Sequence, residues 1–333
     1  MDRMDFTHAV ARLRVIETKL LDKSKIERMI ESTSLEDALR VLTETQYGEA
    51  LAALKRNEDY EFLLNEELKN IYSLMYEVSP EKAIVDIMAL KYDYHNIKVL
   101  EKSKIVNGDL TSLLLPIGTV NIDVLKNAVL AKDLKPLDKI MQQAIEVSEK
   151  DFEENKDSQN IDIILDIYMY KNMISKAKEC GFEFIENFIR KSIDLINIKT
   201  MLRVKAQEKD GRFLERVLLE EGFMPKDLLI EGLSCSLEVF SEKVSKYGYD
   251  KILKSVIENH TITKKYNSIE VYCDNYLMEY IKGAKRVNFG PEPIIAYIMA
   301  KETEIKVLRI ILAGKLNKVS SEIIRERLRD IYA

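Results

Sequence analysis

Asp59-Tyr60-Glu61, Asn160-Ile161-Asp162 and Ser268-Ile269-Glu270 open three similar stretches of this 333-residue chain, with starts 101 and 108 residues apart. Thirty-six or 37 residues further on stand Asn96-Ile97-Lys98, Asn197-Ile198-Lys199 and Glu304-Ile305-Lys306, spaced by 101 and 107. A recurring period fixes architecture before any other signal does. Here it predicts an all-α chain of three pseudo-repeated helical lobes with rough threefold symmetry.

Each copy reads as a helical hairpin. Asp59, Asn160 and Ser268 are residue types that accept a hydrogen bond from a free N–H of the first helical turn. Glu61, Asp162 and Glu270 follow two residues later, where the helix dipole favours an acid. Steps of three and four residues then place Leu64, Leu68, Ile71 and Met75 on one face of the first copy. The same spacing groups Ile163, Ile167, Tyr170 and Ile174 in the second, and Ile269, Tyr272, Tyr276 and Tyr280 in the third. Breakers follow at Ser79-Pro80, Cys180-Gly181 and Gly290-Pro291. A second helix comes next and carries the Ile-Lys signature.

Between copies the period persists. Gly118 precedes Asp123-Val124-Leu125 by five residues and Gly222 precedes Asp227-Leu228-Leu229 by five, with Pro116 and Pro225 nearby. The expected organisation is opening and linker helices over 1–50, a first hairpin lobe over 51–110, a second lobe over 111–215 and a third over 216–333. The charged run from Glu149 to Asp157 is expected to be an exposed loop or frayed helix end.

Hydrophobic residues at 46% and charged residues at 32%, with only 11 Gly and 6 Pro, describe a folded helical chain. The net charge of −5 supplies no basic footprint for nucleic acid or anionic lipid. Apolar runs stay far below 18 residues, Ile294 to Ala300 being among the longest, so no membrane span is expected. Met1-Asp2-Arg3-Met4-Asp5 is charged and adjoins no hydrophobic signal region. Cys180, Cys235 and Cys273 are scattered, as reduced thiols of a cytosolic protein would be.

Catalytic motifs are lacking. Gly314-Lys315 is followed by Leu316, which excludes a phosphate-cradling Gly-Lys-Ser/Thr loop. Neither a dinucleotide glycine fingerprint nor a zinc-protease helix occurs, and His8, His95 and His260 do not make a metal site with the dispersed cysteines. No cofactor is expected. Glu61, Asp162 and Glu270 read as helix-start charges in preference to three copies of a general acid. Lys98, Lys199 and Lys306 read as a solvated face, or as a ring of cations lining a central opening in a threefold body.

The end of the chain narrows the field. Asn288-Phe289-Gly290-Pro291-Glu292-Pro293, Tyr297, Glu302, Glu304-Ile305, Arg309, Gly314-Lys315-Leu316 and Ile324-Arg325-Glu326-Arg327-Leu328 resemble the closing segment of the C subunit of archaeal/vacuolar-type ATP synthases, the counterpart of the d subunit in vacuolar proton pumps. Ala11-Arg12-Leu13-Arg14, Leu20-Leu21 and Thr45-Gln46-Tyr47-Gly48 resemble that family's opening. The middle lobe departs from the pattern, its Gly-Pro corner being reduced to Gly181-Phe182. The resemblance implies a three-lobed funnel on the cytoplasmic face of a membrane rotor ring, with the foot of the central stalk in its hollow. Such a protein does no chemistry and passes torque between stalk and ring during ATP-driven ion transport or ion-driven ATP synthesis. Gly290, Pro291, Tyr297, Glu302, Glu304 and Arg309 are then structural residues, and Lys98, Lys199 and Lys306 are stalk-facing candidates.

Two other readings share the repeats. An α-helical scaffold or solenoid adaptor would stack its units in an open line. An all-helical enzyme would place carboxylates of shifted pKa in a deep pocket.

Overall fold

The computed structural model describes residues 2–263 and 268–333, the side chains of 260–263 excepted, so His260 lies outside the described residues. Among them the secondary structure is helical and no strand occurs, as the periodicity predicts. The helices are α1 Thr7–Glu17, α2 Lys23–Glu31, α3 Leu35–Leu42, α4 Gly48–Ala52, α5 Tyr60–Val78, α6 Lys82–Val106, α7 Ile122–Ala131, α8 Lys139–Asn155, α9 Ser158–Cys180, α10 Glu183–Ala206, α11 Gly211–Val217, α12 Lys226–Ser234, α13 Leu237–Lys243, α14 Asp250–Thr263, α15 Ile269–Lys282, α16 Glu292–Leu316 and α17 Ser321–Glu326. Each expected hairpin position holds two successive helices, α5 then α6, α9 then α10 and α15 then α16, and α9 packs against α10.

The chain divides into two compact units. One joins residues 1–85 to 270–333; the other is 86–269. In the first, α16 is the central helix. Ile294, Ile295, Ala296, Tyr297, Ile298, Ala300, Ile305, Val307, Leu308, Ile311 and Leu312 are all buried along it. A helix apolar on every side belongs in a core, and α16 packs against α1, α3 and α5. Each fully buried aliphatic side chain among those named contributes about 1.5–3 kcal/mol by its removal from water. In the second unit α9 lies between α8 and α10, and α10 also carries α11 and α12.

Local chemistry sets the corners. Gly181 closes α9 in the left-handed conformation, φ 71°, where a side chain would be strained. Pro291 sits at the N-cap of α16 with Pro293 in its first turn, and the preceding Gly290 has φ 134°. The charged run after Glu149 is helical up to Asn155 and ends at left-handed Lys156, after which Asp157 caps α9.

Two expectations need correction, the caps and the apolar stripes. Asn160 is not a cap. Helix α9 starts two residues earlier, Asp157 accepts the Gln159 N–H at 2.9 Å, and Asn160 instead donates to Asp151 at 2.8 Å. Asp59 stands at the N-cap of α5, but its carboxylate pairs with Arg56 and caps nothing; Ser268 Oγ is buried and makes no hydrogen bond among the described residues. The stripe expected on α5 is buried throughout. On α9 Ile174 is buried as expected, but its buried apolar companions are Ile161, Leu165, Met173 and Ala177, and Ile163, Ile167 and Tyr170 are half-buried. On α15 the buried stripe is Ile269, Cys273, Met278 and Ile281, and the three tyrosines are half-buried. Both helices carry apolar residues on more than one face, so spacing alone does not rank the faces.

Candidate functional site: clamps on the linkers

The Ile-Lys signature marks a clamp. On α6 the Asn96 side chain pairs with the backbone of Leu115 twice, donating to its carbonyl at 2.8 Å and accepting its N–H at 2.9 Å. On α10 Asn197 does the same to Leu219, at 2.9 and 2.8 Å. Each amide satisfies one donor and one acceptor of a linker that would otherwise lose water unpaired.

Three residues earlier on each helix stands a buried aspartate. Asp93 accepts the N–H groups of Thr119 and Val120 at 2.8 and 3.1 Å, and the Thr119 hydroxyl at 2.8 Å. Asp194 accepts those of Phe223 and Met224 at 3.1 and 3.0 Å, with the Tyr249 hydroxyl at 2.9 Å. This explains the paired glycines. A Cβ on Gly118 would lie 2.0 Å from Asp93 Oδ1, and one on Gly222 would lie 2.2 Å from Asp194 Oδ1. Burial pushes the Asp93 carboxyl up to about 6, outweighing its hydrogen bonds, and moves Asp194 the same way.

The third copy changes the chemistry. At the signature position α16 carries Glu304, whose Oε2 accepts the Leu21 N–H at 2.6 Å while Oε1 accepts the Tyr47 hydroxyl at 2.6 Å. Lys301 takes the aspartate's place. It is fully buried, 2.6 Å from Glu304, 2.8 Å from Glu67 of α5 and 3.2 Å from the Tyr47 hydroxyl, and its ammonium lies 4.6 Å from the centre of the Tyr47 ring. Two carboxylates around one ammonium make burial of the charge tolerable. Beside them burial drives the Tyr47 and Tyr297 phenols well above their usual range. Sequence reading named Glu304 and missed Lys301 and Glu67. The signal for Lys301 was the Lys-x-x-Glu spacing, which puts 301 and 304 on one helix face; Glu67, on α5, had none.

A second repeated feature follows at the ends of the same helices. Lys104 donates to the Val129 carbonyl at the end of α7. Lys205 donates to the Gly232, Leu233 and Cys235 carbonyls at the end of α12. Lys315 donates to the Ile30 carbonyl at the end of α2. Each satisfies orphan carbonyls at a helix C-terminus, where a cation is favoured. Three residues on, Asn107, Glu208 and Lys318 adopt positive φ, and the N–H after each returns to the carbonyl five residues back.

The lysines chosen from sequence do not share one environment. Lys98 pairs with Asp166 of α9 at 2.6 Å, Lys306 is exposed and pairs with Asp274 of α15, and Lys199 is half-buried with no ion pair among the described residues. The helix-start acids are paired too: Glu61 with Arg309 at 2.9 Å, Asp162 with Lys102 at 2.7 Å and Glu270 with Arg329 at 3.8 Å. The first two pairs are exposed on both sides, and pairs of that kind contribute at most about 1 kcal/mol each. Of the other motif residues, Tyr297 is buried in the core, and Glu302 accepts the Tyr72 hydroxyl at 2.7 Å. A Cβ on Gly290 would lie 2.4 Å from both Arg3 and Glu292, which themselves form a 2.6 Å ion pair. Among the described residues no cluster of His, Cys, Asp and Glu could hold a metal ion, and no helix is long and apolar enough to cross a membrane.

The family described as ATP synthase (C/AC39) subunit matches residues 9–327. The chain belongs to that family. It is 31% identical over 331 residues to the C subunit of the V-type sodium ATPase of Enterococcus hirae, covering 99% of both chains. It is 30% identical over 362 residues to the C subunit of the A-type ATP synthase of Methanocaldococcus jannaschii, covering 98% of this chain and 87% of that one. The clamps and the lysine caps are therefore internal architecture of a member of the C/AC39 family, whose match runs through all three hairpins.

Proposed function

We propose that this chain is a non-catalytic central-rotor subunit of a V/A-type ATPase or ATP synthase, coupling the central stalk to the membrane rotor ring. Its partners in this reading are the stalk subunits and the ring, and it sits peripherally on the cytoplasmic side of the membrane, held there by the ring. The observation that carries the reading is the family match across residues 9–327, together with buried polar groups committed to holding backbone. Asp93, Asn96, Asp194, Asn197 and Glu304 each accept a backbone N–H of a linker segment. A torque-bearing part needs fixed joints, and buried satisfied polar networks provide them.

The three-lobed funnel belongs to this proposal, with lobes at 51–110, 111–215 and 216–333 after the opening segment 1–50. Its support is the clamp order. The linker after lobe one is held by α6 and the linker after lobe two by α10; the linker before lobe one is held by α16 of lobe three. An open solenoid would have no such return from last to first. Gly290, Pro291, Tyr297, Glu302, Glu304 and Arg309 are structural in this reading. Lys98, Lys199 and Lys306 remain candidates for stalk contact, Lys199 having the least intramolecular engagement.

Affinity purification from gently solubilised membranes tests the reading. Recovery with ring and stalk subunits is expected; recovery as a free monomer overturns it. Isothermal titration should show no micromolar nucleotide binding. Charge reversal at Lys98, Lys199 and Lys306 should weaken stalk binding and reduce its salt dependence.

A further inference from the structure

Two buried acids lie outside the clamps, and of these Glu292 pairs with Arg3 while Glu101 makes no ion pair among the described residues. Glu101 of α6 is 2% exposed and faces α8, where Ser148 is fully buried. Its Oε1 lies 2.7 Å from Ser148 Oγ, which in turn lies 3.1 Å from the Ile145 carbonyl. Its Oε2 is buried without a hydrogen-bond partner among the described residues.

The cations nearby are otherwise engaged. On α6, Lys104 pairs with Glu149 of α8 and with the Val129 carbonyl; Lys132, just past α7, pairs with Glu149 at 3.2 Å. Lys98 and Lys102 of α6 turn to Asp166 and Asp162 of α9. Glu149 adds a like charge. An ionised Glu101 would therefore leave a charged oxygen bare in the interior. A neutral one completes a donor chain, Glu101 O–H to Ser148 Oγ and Ser148 O–H to the Ile145 carbonyl, leaving bare only an uncharged oxygen.

The repeat supplies its own comparison. The position 101 residues on, Leu202 of α10, is a fully buried leucine. In the second copy this place is filled by an apolar side chain, so packing there requires no carboxyl.

We propose that Glu101 and Ser148 form a proton-operated latch between α6 and α8, closed when Glu101 is neutral and opened when its ionisation draws water into the seam. The direction of the burial effect agrees, since it pushes this carboxyl up to about 7. The latch then works across the neutral pH range, and α8 is the element that loosens.

Hydrogen–deuterium exchange of the full chain tests it, followed by mass spectrometry at pH 6 and pH 8.5 and corrected for intrinsic exchange rates. Peptides of α8 in the wild type should lose protection by about tenfold or more at the higher pH, as expected when a group is ionised well above its pKa. Peptides of α13 and α14 should not change. In Glu101→Gln and in Glu101→Leu, which copies Leu202, α8 should be equally protected at both pH values. Equal protection of wild-type α8 at both pH values overturns the proposal. So does a pH-dependent loss that persists in either variant.

Discussion

The carboxylate of Glu304 accepts the backbone N–H of Leu21 at 2.6 Å across 283 residues of sequence. The same carboxylate neutralises Lys301, which water does not reach. Removing it leaves a buried ammonium with Glu67 alone and an orphan amide. Glu304→Ala should destabilise the chain by about 3–5 kcal/mol in urea unfolding, the range for breaking a buried ion pair. Glu304→Gln, which still offers an acceptor to Leu21, should cost less. A loss below about 1 kcal/mol for the alanine variant would contradict the clamp.

The amide clamps should fail by polarity as well as by loss. Asn197→Ala strands both backbone groups of Leu219, at about 1–3 kcal/mol for each unpaired group. Asn197→Asp should do no better, because it supplies no donor for the Leu219 carbonyl and has no lysine beside it as Glu304 has. Denaturant midpoints of the two variants check this, with Asn96 giving the same ordering against Leu115.

Gly118 and Gly222 sit where a methyl group would displace a clamping carboxylate. Alanine at either should lower stability by about 1–3 kcal/mol or more, the cost of overpacking. Gly283, with nothing within 4 Å of the same added atom, should accept alanine without loss. Parallel thermal melts decide the comparison.

Glu208 ends α10 in the left-handed conformation, φ 54°, and is exposed. Glycine there should stabilise the chain by about 0.5–1 kcal/mol, the strain removed exceeding the entropy added to the unfolded chain. Asn107 holds the matching place on α6 with φ 49°. Asparagine tolerates that region, so Asn107→Gly should gain less in the same melt.

Stability should fall as pH rises from about 4 to about 7. Asp93, pushed up to about 6, and Glu101, up to about 7, keep protons in the folded chain that the unfolded chain has released. The folded state therefore binds more protons over that interval, which gives a negative slope of unfolding free energy with pH. Melting temperatures at pH 5 and 8 in one salt concentration measure it. Asp93→Asn with Glu101→Gln should flatten the dependence.

The helices of the three hairpins and their order were readable from the chain because the repeat aligned independent signals: breakers, apolar steps and the paired glycines. Asn96 and Asn197 were visible as a signature, yet their partners were not. Leu115 and Leu219 are held through backbone atoms, which leave no trace in side-chain identity. The same limit hid Lys104, Lys205 and Lys315, whose acceptors are carbonyls. Their spacing from the signature also changes, eight residues on α6 and α10 and eleven on α16, so the last does not align with the others. Lys98, Lys199 and Lys306 do align, but each meets different neighbours, and position in a repeat does not fix what a long side chain reaches. The caps were misassigned at Asn160 because three polar residues in a row, Ser158, Gln159 and Asn160, follow the true cap, Asp157.

The first compact unit is assembled from the two ends of the chain, residues 1–85 and 270–333, with Leu21 waiting on Glu304. On the ribosome those ends are separated by the whole interval in which residues 86–269 emerge. The middle of the protein completes its core first, while the opening helices stand without α16, the helix that buries them. Chains emerge at about 5–20 residues per second, so the roughly 280 residues between Leu21 and Glu304 leave the amino-terminal segment exposed for tens of seconds. It is the stretch of this protein most in need of a chaperone during its own synthesis.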